Sequence, residues 1–169
     1  MEASIGVFNA ALGPFIGFLG AVILFFLKEK WTSFCKKKST ISNLKLEIHY
    51  NINLYSDFIK QLSSAINAVS SGSKHVYVRL DYDFIATFFA KEYYNSGLLL
   101  TAFHVEDLKR WNVMLSSLSA GYEQKVLDSL EEWRTDKGIS QDELFHILDH
   151  ELKQVRYAKE MSEYVLSKL

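Results

Sequence analysis

The amino-acid sequence predicts an all-α protein: one N-terminal transmembrane helix followed by a cytoplasmic helical bundle. Three observations carry that expectation. The run from Ile5 to Leu27 holds twenty-three residues without a formal charge. Apolar residues recur at every third or fourth position through most of the chain beyond Lys38, the period of an α-helix packed on one side. Short Ser/Gly, Asn/Ser/Gly and Asp/Lys/Gly clusters punctuate those periodic stretches as turns.

The first run, at about 1.5 Å of helical rise per residue, is long enough to cross a hydrocarbon layer of about 30 Å with some tilt. The segment before it carries Glu2 and no Lys or Arg, which does not fit a cleaved signal peptide. Lys28, Lys30, Lys36, Lys37 and Lys38 come after the run, and the basic bias predicts a single-pass membrane protein with its N-terminus outside and its C-terminal domain in the cytoplasm. Trp31 belongs with these lysines as an interfacial residue, and the lysines suit anionic lipid. Within the run, Gly6, Ala10, Gly13, Gly17 and Gly20 recur at spacings of four, three, four and three, a stripe of small residues that lets helix backbones approach closely. Asn9 adds an amide and Pro14 removes a backbone donor. Together these residues predict a self-associating helix able to line a pore.

Three parts are therefore expected: a tail and membrane helix over 1–27, a basic connector over 28–40, and a bundle of four or five helices over 41–169. Of 169 residues, about 140 remain for that bundle, the size of one domain. Net charge is −1, and without the connector lysines the remainder is slightly acidic, so direct binding of nucleic acid through phosphate neutralisation is disfavoured. The single Cys35 excludes an internal disulfide.

Ile41, Leu44, Ile48, Ile52, Tyr55, Ile59, Leu62, Ile66 and Val69 predict a long amphipathic helix, with Glu47 and Asn51 as a polar pair that caps, pairs or faces water. Ser70–Ser73 closes it. His75–Leu80 alternates like a strand but has no second strand to pair with, and is read as a loop laid across the bundle or an edge used between subunits. Asp81 or Asp83 is expected to cap a helix carrying a core stripe of Phe84, Ile85, Phe88, Phe89 and Tyr93. A third helix spans about 104–133, with a bend or break at Ser119–Gly121. Ser140 followed by Glu143 is the capping signature of the last helix.

Chemistry-bearing residues are sparse. Asp142, His146 and His150 lie one turn apart on one helical face, a spacing that can hold a metal ion, although the stretch lacks the glutamate of a HExxH site and a fourth ligand. No cofactor is implied. Ribonucleases of the HEPN class pair an arginine with a histidine four to six residues later; here His104 precedes Arg110 and His150 precedes Arg156, the reverse order.

The single span, the basic junction, the size of the helical domain and the His150–Arg156 spacing resemble the small membrane accessory proteins encoded beside the RNA-guided RNase of type VI-B CRISPR systems. The resemblance implies a divergent HEPN-like helical domain and a ring-like homo-oligomer in the inner membrane. It implies an effector that forms a pore or depolarises the membrane in antiviral defence, with His150 and Arg156 stabilising the active assembly. The alternatives are a membrane-tethered adaptor that recruits a cytoplasmic partner such as an RNA-guided RNase and, behind it, a HEPN-like ribonuclease.

Overall fold

A computed structural model describes the backbone of residues 2–97, 103–118 and 120–169, and the side chains of 16–97, 103–118 and 121–169. The fold is all-α, with no strand among the described residues. The chain divides into two units, Met1–Thr40 and Ile41–Leu169. Helix α1 covers Glu2–Ser70; α2 is Phe88–Asn95, α3 Val105–Ser117, α4 Ala120–Arg134 and α5 Gln141–Lys168.

In the first unit, the described apolar run is Ile16–Leu27, twelve residues followed directly by Lys28, Glu29 and Lys30. No helix among the described residues is long and apolar enough to cross a membrane. That finding corrects the expected transmembrane helix, and the single-pass inner-membrane placement and N-out orientation that rested on it. Gly6, Asn9, Ala10, Gly13 and Pro14 lie outside the residues whose side chains are described. Gly17 and Gly20 lie within them, and a Cβ added at either would meet open space.

The second unit is built on the later part of α1. Leu44, Ile48, Asn51, Tyr55, Phe58, Leu62, Ala65 and Val69 are all buried, at alternating spacings of four and three. This is the heptad seam of helices packed at shallow angles. Ile52, Ile59 and Ile66, expected on that apolar face, flank it half-buried. The same alternation recurs on α5, where Leu144, Leu148, Glu151, Val155, Ala158, Ser162 and Val165 are buried. At one end of the unit Gln141 Nε2 donates to the carbonyls of Val69 (2.8 Å) and Ser70 (3.2 Å), tying the start of α5 to the end of α1. Helices α3 and α4 pack against α5. Gly72, at φ 76°, closes α1, since that left-handed conformation suits a residue without Cβ and lets Ser73 N donate to Ala68 O at 2.9 Å.

After that turn the chain returns along α1 without regular structure, buried through Val76 and Leu80. Its backbone groups find side chains of α1 in place of a strand partner. Arg79 N donates to Gln61 Oε1 (2.7 Å). Ala86 N donates to Asn51 Oδ1 (2.9 Å) and Ala86 O accepts from Asn51 Nδ2 (2.7 Å). Phe89 N and Ala90 N donate to the two carboxylate oxygens of Glu47 at 2.7 and 3.0 Å. Glu47 thus caps α2 from another helix, where its charge also meets the positive end of the helix dipole. Neither Asp81 nor Asp83 serves as that cap: a single 3₁₀ turn, Tyr82–Phe84, follows Asp81, and Asp81 makes no side-chain cap bond. The aromatic stripe is only partly core, for Phe84 and Phe88 are exposed while Tyr93 is buried. The expected third helix is two helices, α3 and α4, interrupted near residue 118. Ser140 Oγ accepts from Glu143 N at 3.1 Å and caps α5.

Candidate functional site

Helices α4 and α5 enclose an open cavity of about 670 Å³. From α5 come Glu143, His146, Ile147, His150 and Glu151; from α4 come Tyr122, Lys125 and Val126. The α5 residues recur at the spacing that puts them on one helical face. Glu143, His146 and His150 are exposed on it, whereas Glu151 is buried, 3 % accessible.

Glu151 is held by the returning segment. The Tyr82 hydroxyl donates a short hydrogen bond to Glu151 Oε1, and the backbone N–H of the same tyrosine donates to Glu123 Oε2 at 2.7 Å. One residue of the 3₁₀ turn is thereby pinned to both α4 and α5. Burial pushes the Glu151 carboxyl above its ordinary value, and the Tyr82 hydrogen bond and the His150 charge oppose that shift without cancelling it. The Tyr82 phenol is also pushed up, first by burial and then by the Glu151 charge. Deeper in the core, burial and the charge of Glu47 raise the Tyr55 phenol. Its hydroxyl is buried with no hydrogen-bond partner among the described residues.

Of the residues singled out by spacing, His146 and His150 share the cavity wall, but Asp142 does not line it. Asp149 instead pairs with Lys153 at 2.6 Å. Among the described residues no three of His, Cys, Asp and Glu converge as metal ligands. Arg156 also stands off the cavity that His150 lines. Six residues along a helix turn the side chain by about 240°, so His150 and Arg156 point to different sides of α5. Spacing missed Glu151, Tyr82 and Glu123. The usable signal for Glu151 was a carboxylate on the four-three seam of α5.

The second feature is the surface of the first unit. Ile16, Phe18, Leu19, Ile23, Leu24 and Phe25 are exposed, as are Phe26, Leu27, Trp31 and Phe34, with accessibilities of 44–70 %. At about 100° per residue they project from every side of the helix. Lys28, Lys30, Lys36, Lys37 and Lys38 are exposed as well.

No family model matches the chain, and neither curated proteins nor solved structures provide a match. With no membrane-crossing helix among the described residues, the expected inner-membrane effector, pore-forming or depolarising, and its membrane-tethered adaptor alternative are overturned. The ribonuclease reading is overturned with them: neither a family model nor a solved structure supports it, and Arg156 does not line the cavity that His150 lines.

Proposed function

We propose that this chain is an assembly protein: copies associate through the helical segment 16–34, and each copy presents its 41–169 unit. The observation that carries this reading is the set of ten large apolar side chains left exposed around that segment. A helix apolar on all sides is stable in water only when other chains cover it, and single folded chains rarely expose apolar patches beyond a few hundred Å². The occupant is a second copy because the segment is its own complement: identical helices bury the same apolar surface against one another and satisfy closed symmetry. One partner covers only one stripe of a helix, so the assembly contains three or more copies. Gly17 and Gly20, which meet nothing within the chain, permit close approach of those partners.

Sedimentation of the full chain in detergent-free buffer tests the proposal. The expected result is a discrete species of three or more copies that Leu24→Ser combined with Phe25→Ser dissociates while circular dichroism stays helical. A monomer over a wide concentration range, or an assembly unaffected by the pair of substitutions, overturns it.

A further inference from the structure

The lysines that follow the apolar run form a surface that self-association does not use. Lys28, Lys30, Lys36, Lys37 and Lys38 fall in one short stretch with Glu29 as the one acid among them, and all five are exposed. None of them is ion-paired to a carboxylate among the described residues, whereas Lys60, Lys74, Lys109, Lys153 and Lys159 each are. At about 100° per residue the five project round the helix with no gap wider than about 100°, so they form a collar and not a stripe. From Lys28 to Lys38 the helix rises about 15 Å, which gives about one positive charge for every 3 Å of axis. One strand of nucleic acid carries a phosphate about every 3.4 Å. We propose that the collar binds a flexible chain of phosphates, as in single-stranded nucleic acid or inorganic polyphosphate, by sequence-independent neutralisation of its charge.

The surroundings narrow the ligand to that class. The 41–169 unit carries 18 Asp and Glu against 14 Lys and Arg, so it repels the same polymer and confines it to the collar. The depression on the surface of the segment, lined by Phe25, Lys28, Glu29, Thr32, Ser33 and Lys36, is open and includes a carboxylate, which does not suit a compact anion. A flat anionic surface meets one side of a helix and leaves the other lysines unpaired, while a flexible chain follows them round it. Release of condensed counterions drives such binding, and it needs no enclosed pocket. A single chain carries the whole collar, so the assignment stands without self-association. Where copies do associate, the lysine stems carry their ammonium groups outward past a covering helix, and neighbouring collars act on one polymer together.

Fluorescence anisotropy of a labelled oligodeoxythymidine with the full chain, over a series of salt concentrations, tests the assignment. The expected result is saturable binding whose affinity falls with salt at a logarithmic slope of about −3.5 for each collar engaged, from five phosphates at about −0.7 each. Lys36→Gln, Lys37→Gln and Lys38→Gln together should weaken binding at least about tenfold and flatten the slope to about −1.4. Lys60→Gln, Lys153→Gln and Lys159→Gln together remove the same charge from the 41–169 unit and should leave both quantities unchanged. Displacement of the oligonucleotide by unlabelled polyphosphate assigns the site to phosphate alone, and failure of that displacement assigns it to nucleic acid. No saturable binding, equal losses in the two triple variants, or tighter binding of polyglutamate or of anionic phospholipid vesicles each overturns the proposal. The Leu24→Ser and Phe25→Ser pair, which separates the copies, should keep the slope per collar, so failure of the collar and failure of self-association are read independently.

Discussion

Helix α1 carries two surfaces that differ in what covers them. Over 44–69, apolar residues occupy a seam of alternating four and three spacings, and other elements of the same unit bury it. Over 16–34, apolar residues face every direction and are exposed. Both segments are helical, so backbone propensity does not distinguish them. The difference lies in the arrangement of the apolar side chains: a stripe is completed within the unit, and the all-round surface is left uncovered by it. Truncation separates the two regimes most sharply. Leu62→Ala, at a fully buried seam position, is expected to destabilise the chain by about 3–4 kcal/mol in urea unfolding, through lost transfer energy and the cavity left behind. Leu24→Ala, at a position 67 % exposed, should change the stability of the 41–169 unit by less than about 0.5 kcal/mol while shifting the assembly towards smaller species. Equal losses of stability in the two variants would remove the distinction.

The apolar seam contrasts with the buried polar residues of the same helix, Glu47 and Asn51. Glu47 accepts from two backbone N–H groups at the start of α2, so Glu47→Ala leaves both donors without a partner in a buried setting. Loss of a charge-assisted pair of this kind is expected to cost about 2–3 kcal/mol, measured as a fall in the urea midpoint with an unchanged slope. Glu47→Gln keeps one carbonyl acceptor and should recover about half. Amide exchange at Phe89 and Ala90 should accelerate in Glu47→Ala before exchange along the α1 seam does, because the cap belongs to α2.

These polar positions also show how far the sequence was legible. The long helix after residue 41, the Ser-Gly turn with its left-handed Gly72, the Ser140 cap and the loop-like character of His75–Leu80 all follow from local pattern, because each is decided by neighbours within a few residues. The roles of Gln61, Asn51 and Glu47 do not, since their partners are backbone groups 18, 35 and 42–43 residues away. Hydropathy does not distinguish such residues from solvent-facing ones, so Ile52 and Ile59 were counted on the apolar face while Asn51 and Phe58, which are buried, were not. The candidate site was half visible. Helical spacing put His146 and His150 on one wall, but nothing local announces that Tyr82, 69 residues before Glu151, supplies the hydroxyl that holds it. The membrane expectation rested on the uncharged stretch alone, and among the described residues no helix is long and apolar enough to cross a membrane.

The smallest expected effect compares two ways of breaking the contact between Tyr82 and Glu151, and its sign depends on pH. The folded-state value of Glu151 lies above the ordinary 4.5, so the folded chain takes up this proton at higher pH than the unfolded chain does. The carboxylate therefore contributes no penalty below about pH 4.5, and costs stability progressively as pH rises through the folded value. Burial is the leading cause; the Tyr82 hydroxyl and His150 reduce the penalty, while Glu123 acts on the same tyrosine. Glu151→Gln removes the charge and keeps an oxygen for Tyr82, so at neutral pH it should raise stability by up to about 1 kcal/mol, and the gain should vanish near pH 4.5. Tyr82→Phe does the reverse, withdrawing the donor from a buried carboxylate at an expected cost of about 1–2 kcal/mol at neutral pH that shrinks on acidification. Thermal unfolding of both variants from pH 4.5 to 8 measures the two slopes. Parallel, pH-independent shifts would mean that the contact contributes shape to the α4–α5 wall and that its charge is already compensated.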